Sequence, residues 1–243
     1  MSRLGLVLVL CGFVLAQPLA AAASQWPAGG EIVFDVTQGD GGMKLGEGVH
    51  RWQHDGRAYT MSTHLKTTGL AAMLADFDYT QSSEGDVTSH GLVPRRFVVE
   101  QKGRETESAT FDWRTNSVLV ERRKGRKETE SLARGDLDVL SVWHMVAQRP
   151  GRDYSGEMTL VSNSGADPAS VKMLGMKELD LPIGRVRVQH LQLKAHSGKL
   201  DVELWLSERH AWAPVRVRLK DHKGKVLDQR ATRVKLSHPT PQP

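Results

Sequence analysis

The sequence contains a single cysteine, Cys11, which lies in an apolar run from Leu4 to Ala16. Arg3 precedes the run, and small residues occupy positions 20–23 after it. A basic start, an apolar stretch and a small-residue cleavage site are the three parts of a secretory signal peptide. We therefore expect residues 1–23 to be cleaved. The mature chain would then have no cysteine, which excludes thiol catalysis, disulfide bonds and thiolate metal sites.

Long apolar runs are missing from the rest of the chain. The first run is too short to span a bilayer, which takes about 20 residues, and no later segment is apolar for long enough. Cys11 follows Leu10, where a lipid-attachment signal would have Gly, Ala or Ser, so we interpret it as part of the cleaved segment. The sequence thus predicts an exported protein that is not an integral membrane protein.

Charge of one sign is not concentrated along the chain. Lys and Arg number 33 against 28 Asp and Glu, and the signs alternate along most segments, which is typical of a solvated surface and not of a nucleic-acid groove. The densest basic run is ERRKGRKETE at 121–130, with a predicted hairpin turn at Lys124, Gly125 and Arg126. This run has two interpretations, a patch for anionic lipids or cell-wall polymers and an exposed hairpin tip, and the second is favoured.

Recognisable catalytic and metal-binding motifs are also missing. There is no H-E-x-x-H and no G-x-S-x-G, and the GDGG at 39–42 precedes a predicted strand where a phosphate loop would need a helix. His50 and His54 are four residues apart, but in a strand and its turn this spacing does not converge on a metal. His144 has two interpretations, a buried base and a residue bordering an apolar stripe. We therefore predict no catalytic, metal or cofactor site, and no enzyme.

Alternating apolar and polar residues dominate the mature chain and predict a long antiparallel meander. Asp-Gly at 55–56 between two alternating runs predicts a hairpin. A change of phase between Val188 and Leu191 predicts a β-bulge near Gln189 and His190. We expect a single β-rich domain over residues 24–236 and a disordered tail over 237–243.

Two segments have helical periodicity instead. Residues 68–79 have Leu70, Met73, Leu74 and Phe77 at helical spacing. Residues 135–151 have an apolar stripe that includes Trp143, with Asp136 as the predicted N-cap and Pro150 with Gly151 at the end. This second segment is predicted to form the main helix, the longest of the chain, near residues 136–148.

The stretch DVELWLSERHAWAPVRVRLKDHKG at 201–224 concentrates potential acid and base groups. Alternation places Asp201 and Glu203 on the solvent face of one strand, with Arg216 and Arg218 on the same face of the next. Neighbouring arginines lower a carboxyl pKa, whereas acid catalysis needs a raised one. We interpret these residues as cross-strand ion pairs and not as a catalytic site.

Several blocks of the sequence, in order, resemble a family of exported bacterial proteins, domain of unknown function 3108. The blocks are TTGLAAML at 67–74, SEGDV at 83–87, GLVPRRF at 91–97, FDWRTNSV at 111–118, DVLSVWHMV at 138–146, LDLPIGRVRVQHL at 179–191 and VELWLSERHAWAPVRVRLKD at 202–221. The resemblance implies a periplasmic location and a curved antiparallel sheet closing over a helix, similar to the half-barrels of periplasmic lipoprotein carriers. It implies no activity and no catalytic residues.

Two functional hypotheses follow. In the first, the protein is a non-catalytic binding protein for an apolar or lipid-like ligand, because a bent sheet with a helix in its mouth can leave an apolar cleft. Its predicted lining residues are Leu70, Met73, Leu74, Phe77 and Trp143. The alternative, that these residues simply fill the core, is favoured. In the second, the protein docks envelope proteins or assists assembly through its surface, without a small ligand.

The signal peptide gives the first testable prediction. The exported protein should begin near Ser24, because the small residues at 20–23 form the cleavage site and Cys11 is not a usable lipid-attachment point. Intact mass and N-terminal sequencing of protein from a periplasmic extract measure this directly. A chain that begins at Met1, or at a lipid-modified Cys11, would contradict it.

Overall fold

The computed structural model describes residues 26–74 and 76–237, without the side chains of Leu70 and Leu74. The predicted signal peptide and the last six residues of the predicted tail lie outside the described residues. Ser237, the first residue of that predicted tail, is the last residue of a strand.

Fifteen strands account for most of the described chain. Alternating sequences form the long ones, in which every second side chain is buried. Their bounds are β1 Gly29–Gln38, β2 Lys44–His54, β3 Ala58–Thr67, β4 Asp78–Thr88, β5 Gly91–Gln101, β6 Glu107–Asp112, β7 Ser117–Arg122, β8 Arg126–Ser131, β9 Leu137–Asp138, β10 Gly156–Ser162, β11 Gly165–Leu181, β12 Gly184–Ala195, β13 Leu200–Ser207, β14 Ala213–Asp221 and β15 Val226–Ser237.

All fifteen strands form one sheet, in the order β8-β7-β6-β5-β4-β3-β2-β1-β15-β14-β13-β12-β11-β10-β9. Neighbours in the sheet are neighbours in the chain, except that β1 pairs with β15 and joins the two halves. The sheet curls until its edges approach, and the Ala166 N–H of β11 donates to Glu130 Oε1 of β8 over 3.0 Å. The prediction of a mainly β protein built on a single curved sheet is confirmed.

The hairpin predictions hold in detail. β2 and β3 are joined at Asp55–Gly56, where Asp55 Oδ1 accepts the N–H groups of Arg57 and Ala58, each over 2.8 Å. Lys124 and Gly125 both have positive φ, 62° and 64°, as the tight turn between β7 and β8 requires.

The bulge predicted near Gln189 and His190 of β12 lies on the neighbouring strand instead. Its extra residues are Leu174 and Gly175 of β11, which interrupt the register opposite His190.

The interior of the curled sheet is filled by side chains. Inward-facing residues of both halves pack against the segment that follows β9. Ile32, Phe34, Phe97, Leu191 and Leu204 have no exposed surface. The curled sheet therefore encloses a filled core.

The structure corrects the prediction of a main helix near residues 136–148. Residues 141–148 form a 3₁₀ turn, Ser141–His144, followed by a single α-helical turn, α2, Met145–Gln148. The apolar stripe was correctly assigned to the interior, because Trp143 is 2% exposed and Val142 and Val146 are also buried. The sequence periodicity therefore identified the buried face but overestimated the length of the helix.

Hydrogen bonds to the sheet explain why no long helix forms. Leu137 and Asp138 pair in parallel with Leu160 and Val161 of β10, which uses backbone groups that a helix would need. Asp138 Oδ1 then accepts the Leu140 and Ser141 N–H groups over 2.9 and 2.8 Å and closes a tight turn. The predicted cap, Asp136, accepts the Ala133 and Thr159 N–H groups instead, outside any helix.

The second predicted helical segment is also short. α1 spans Gly69–Leu74, and Phe77 lies beyond it, just before β4. α1 packs mainly on β2, at the end of the sheet where β3 and β4 are connected.

Trp143 provides a test of the packed interior. Replacing Trp143 with Ala should lower the free energy of unfolding by about 3–5 kcal/mol, the usual cost of emptying a large buried site. Trp143→Phe should cost much less, because the buried indole N–H has no hydrogen-bond partner among the residues that the structure describes. Urea unfolding of the three proteins measures both effects. A loss below about 1 kcal/mol for Trp143→Ala would show that the side chain is not in the core.

Candidate functional site

Two histidines that are 94 residues apart in sequence meet in the core. His50 lies in the middle of β2, and His144 ends the 3₁₀ turn. Their Nε2 atoms are 2.8 Å apart, and both residues have 0% relative exposure. The two rings stack with centroids 5.1 Å apart, beside the indoles of Trp52 and Trp143.

The direction of the hydrogen bonds through this pair follows from one group. The Trp26 indole N–H, which can only donate, lies 2.9 Å from His144 Nδ1. His144 in its neutral form then carries its proton on Nε2 and donates it to His50 Nε2. His50 carries its proton on Nδ1, which lies 2.8 Å from Thr63 Oγ1. A single chain of hydrogen bonds therefore runs from Trp26 to Thr63.

Both imidazoles are held neutral. Burial lowers the pKa of His50 to about 3. Burial, followed by the neighbouring His50 and His54, lowers the pKa of His144 well below its usual value. The favoured interpretation of His144, a residue at the border of the apolar stripe, is wrong, because His144 has no exposed surface. The pair is enclosed and directed at Trp26 and Thr63, which gives it a structural role and not that of a base open to a substrate.

His54, the other member of the predicted four-residue spacing, turns away from His50. Its ring stacks on Trp26 with centroids 4.2 Å apart and planes 6° from parallel. Trp52 Nε1 donates to the Pro27 carbonyl over 3.1 Å. Trp26 and Pro27, the first residues that the structure describes, are therefore held against β2 by His54 and Trp52.

A second buried polar cluster surrounds Asp138. Ser83 donates its hydroxyl proton to Asp138 Oδ2 over 2.7 Å, and Tyr59 lies 3.2 Å from Ser83 Oγ. Burial raises the pKa of Asp138 above its usual value. The Ser83 hydroxyl is bonded to this carboxyl group and not to a histidine, so the described residues do not assemble a nucleophile, base and orienting group here.

The stretch 201–224 forms the pairs of a sheet. Glu203 lies opposite Arg218, as predicted, with their side chains 2.5 Å apart. Asp201 lies opposite Lys220, and Trp205 takes the place opposite Arg216. The sequence interpretation was therefore correct for one pair and shifted for the other.

A continuous polar network covers this half of the outer face. His190 Nε2 lies 2.9 Å from Glu203, and its ring stacks on Trp205 with centroids 4.4 Å apart. Arg216 lies over the same indole and donates to Asp228, which has no exposed surface, over 2.8 Å. The charged groups of this network therefore form hydrogen bonds and ion pairs with one another.

The predicted ligand-lining residues do not share one cavity. Met73 is 81% exposed on α1 and Phe77 is 37% exposed after it, whereas Trp143 is enclosed in the core beside His50. The side chains of Leu70 and Leu74 are outside the described part of the chain. Among the described residues, Met73, Phe77 and Trp143 line neither of the two cavities described next.

The smaller of these cavities, of about 300 Å³, lies at the seam where the two sheet edges approach. Its floor is apolar and is formed by Leu92, Leu137, Met145, Met158 and Val171. Tyr154 forms a wall, held by a 2.6 Å hydrogen bond from its hydroxyl to the Met145 carbonyl. We call this space the seam cavity.

Two arginines lie on the rim of the seam cavity, Arg134 and Arg152, both exposed. Within the described residues neither forms an ion pair, and Arg152 lies over the Tyr154 ring at 5.4 Å. The sequence analysis missed this site, because its walls come from residues 90–92, 133–137 and 152–158, which only the curled sheet brings together. The sequence feature that could have indicated the cavity is a pair of loops containing Arg and Gly, one before residue 137 and one after residue 148.

The larger cavity, of about 1030 Å³, is an open trough on the outer face across β15, β1, β2, β3, β4 and β5. Most of the residues that line it are polar or charged, with Ser62 and Ser82 near the middle. Both cavities lie in the size range of ligand pockets, about 300–1,000 Å³.

The described residues contain neither a membrane-spanning helix nor a metal-binding cluster. No helix among residues 26–74 and 76–237 has the length and apolar character needed to cross a membrane. Within the same ranges, no group of three or more His, Cys, Asp or Glu is arranged to hold a metal ion.

The neutral histidine pair predicts a characteristic pH dependence. An unfolded histidine has a pKa of about 6.5, above the lowered values of His50 and His144, so the unfolded chain binds more protons at low pH. Stability should be complete above about pH 6.5 and fall toward pH 3, by up to about 1.4 kcal/mol per pH unit for each histidine.

Urea unfolding of the wild type and a His144→Gln variant between pH 7 and pH 5 measures this slope. The variant should be less stable at pH 7, with a shallower loss on acidification because one of the two titrating groups is gone. Parallel slopes for the two proteins, or a wild type that gains stability toward pH 5, would contradict a buried neutral pair.

Comparison with known proteins agrees with this fold. A β-barrel-like protein of domain of unknown function DUF1849 from Brucella abortus superposes with a TM-score of 0.51 at 10% identity, covering 86% of this chain and 98% of the other. A predicted lipoprotein from Parabacteroides distasonis ATCC 8503 gives a TM-score of 0.32 at 10% identity, covering 87% and 98%. The second value is too low to support a structural argument. No similar curated protein was found.

The sequence itself matches a family profile described as protein of unknown function (DUF3108) over residues 33–230. The match extends from β1 to β15 and includes both halves of the sheet. This chain therefore belongs to the DUF3108 family.

Proposed function

We propose that this protein is a non-catalytic binding protein of the bacterial periplasm, which holds the apolar chain of a lipid-like ligand in the seam cavity. The observation that carries the proposal is the combination of an apolar floor with two rim arginines that form no ion pair among the described residues. Two acidic residues also line the cavity, Asp153 and Glu157, of which Glu157 pairs with His196. The signal-peptide pattern of residues 1–23 supports export.

The seam cavity suits an amphipathic ligand. Leu92, Leu137, Met145 and Val171 are each less than 9% exposed, so the floor is continuous with the core, and Met158 above them is half-buried. Methionine side chains adapt to chains of different shape. Each methylene buried against this floor contributes about 0.8 kcal/mol. Arg134 and Arg152 can then meet a carboxylate or phosphate at the polar end of the ligand.

A binding role is favoured over catalysis by the state of the buried polar groups. His50, His144 and Asp138 are each enclosed and engaged by groups of the protein itself. None of the three lines the seam cavity. The carboxylate and imidazole side chains that do line it are engaged by neighbouring residues of the protein; they are His90, Asp136, Asp153 and Glu157. General acid–base catalysis needs such a group within hydrogen-bonding reach of the substrate.

The alternative function, docking of envelope components through the basic hairpin at 121–130, has less support. Arg122 pairs with Glu128 over 2.6 Å, Lys127 pairs with Glu121, and Arg123 pairs with Glu107 over 3.3 Å. Exposed pairs of this kind neutralise much of the positive charge that would attract an anionic partner.

Displacement of a fluorescent fatty acid by envelope lipid extract tests the proposal. Met158→Asp should weaken probe binding about tenfold or more, because loss of contact with two methylenes amounts to about 1.6 kcal/mol. Met73→Asp, at an exposed methionine on α1, is the matched control and should bind like the wild type. Circular dichroism and thermal unfolding establish that each variant folds.

The outcomes separate the hypotheses. Loss of binding in Met73→Asp but not in Met158→Asp would place the chain at α1, as the sequence analysis predicted, and would overturn the seam site. Absence of probe binding by the folded wild type would favour the surface-docking alternative.

The rim gives a separate prediction. A double variant, Arg134→Glu and Arg152→Glu, should weaken binding of the fatty acid but not of the corresponding long-chain alcohol, which lacks the carboxylate. The double variant Arg57→Glu and Arg104→Glu, in the exposed β2–β3 and β5–β6 turns, is the charge-matched control. Equal weakening of both ligands would show that the arginines do not contact the polar end.

A further inference from the structure

The outer-face trough is built from two rows of side chains that cross six strands. Strand register places Lys235, Glu31, Arg51, Ser62, Ser82 and Val98 side by side in the first row. Ser237, Gly29, Gln53, Thr60, Glu84 and Arg96 form the second row. Five strand spacings of about 4.8 Å give a length of about 24 Å, and the rows are about 7 Å apart.

Small residues form the floor of the trough, and long ones form its sides. Ser62 and Ser82 face each other across β3 and β4, while Arg51 stands on one side and Arg96 on the other. β5 contains a bulge at Arg95, opposite Glu84 and Gly85, which bends this part of the sheet. The depression therefore arises from both side-chain size and sheet curvature.

Five polar side chains in the middle of the trough have no partner among the described residues. No side-chain hydrogen bond or ion pair with another described residue is made by Gln53, Thr60, Ser62, Ser82 or Glu84, whereas the charge of Arg96 interacts with Glu121. Arg51 and Glu31 pair with each other over 2.8 Å. On the same outer face, the other half of the sheet ties its polar groups into the His190–Glu203–Arg218 network. The trough is thus the part of this face whose donors and acceptors remain available to a ligand.

The nature of these groups indicates the ligand. Hydroxyl and amide groups both donate and accept, and here they alternate with planar carboxylate and guanidinium groups of both signs. Three basic residues, Arg51, Arg96 and Lys235, stand against two acidic ones, Glu31 and Glu84, so the lining does not select a polyanion. The groups lie on the face of the sheet, where no backbone edge is open to pair with a peptide strand.

We propose that the trough binds an uncharged or zwitterionic glycan chain, laid across the strands. A chain of sugar rings offers many hydroxyl groups that donate and accept at once, as this lining requires. This site is separate from the seam cavity, and it does not depend on the lipid-binding proposal.

Amide NMR of the isotope-labelled protein with chitotetraose, maltotetraose and a heparin tetrasaccharide tests the site. We expect at least one of the two uncharged sugars, at millimolar concentration, to shift resonances of β2, β3, β4 and β5 around Ser62 and Ser82. A Ser62→Leu, Ser82→Leu variant should bind that sugar about tenfold more weakly or worse, because it fills the floor and removes two hydroxyl groups.

Thr129→Leu, an exposed change of similar size on β8, is the matched control and should bind like the wild type. Three results would overturn the proposal: no shift with either uncharged sugar, shifts with the heparin fragment alone, or trough resonances that change with protein concentration because a second copy occupies the site. Loss of fatty-acid binding in the seam variants would leave the sugar result unchanged.

Discussion

The chain of hydrogen bonds from Trp26 through His144 and His50 to Thr63 is the constraint on which the interior depends. It links the first described residues, the 3₁₀ turn and strands β2 and β3, which are separated by up to 118 residues in sequence. Every member is deeply buried, so a ring that lost its partner would leave an unsatisfied polar group in the core. The chain therefore fixes how the segment after β9 sits inside the sheet.

Because side chains fill the interior of the sheet, a ligand has to bind outside it. The sequence predicted a ligand chain held between the sheet and a helix. Here that position is occupied by Trp143 and its neighbours, with Leu140 and Val142 completely buried. The remaining spaces are at the seam and on the outer face, and their linings differ. The first continues the apolar core outward, and the second presents mainly polar and charged side chains.

The sequence predicted most of the sheet because alternation and turn chemistry are local. Asp55–Gly56 and Lys124–Gly125 identify hairpins without knowledge of the rest of the chain. The helix prediction was wrong in length because the pairing of Leu137 with Leu160, 23 positions away, overrides local periodicity. The bulge near His190 was placed on the wrong strand for a related reason. A phase change in one strand does not show which partner carries the extra residues.

The candidate sites could not be predicted in the same way. His50 and His144 were each noticed in the sequence, but nothing local indicates that they meet. The rows of the trough combine residues from six strands in register, and the seam cavity needs both sheet edges. Only the binding residues on α1 were predicted from a local pattern. The structure leaves Met73 in solvent and Trp143 in the core, so these two residues do not share a pocket.

Methionine-methyl NMR with a nitroxide-labelled stearic acid tests the central claim most directly, because the methionines mark separate parts of the molecule. Met145 and Met158 line the seam cavity, Met61 is buried on β3, and Met43 and Met73 are exposed. A chain bound at the seam of a solid core should broaden the Met145 and Met158 signals and spare the other three. Broadening of Met61 would contradict a filled interior, and broadening of Met73 alone would contradict the seam site.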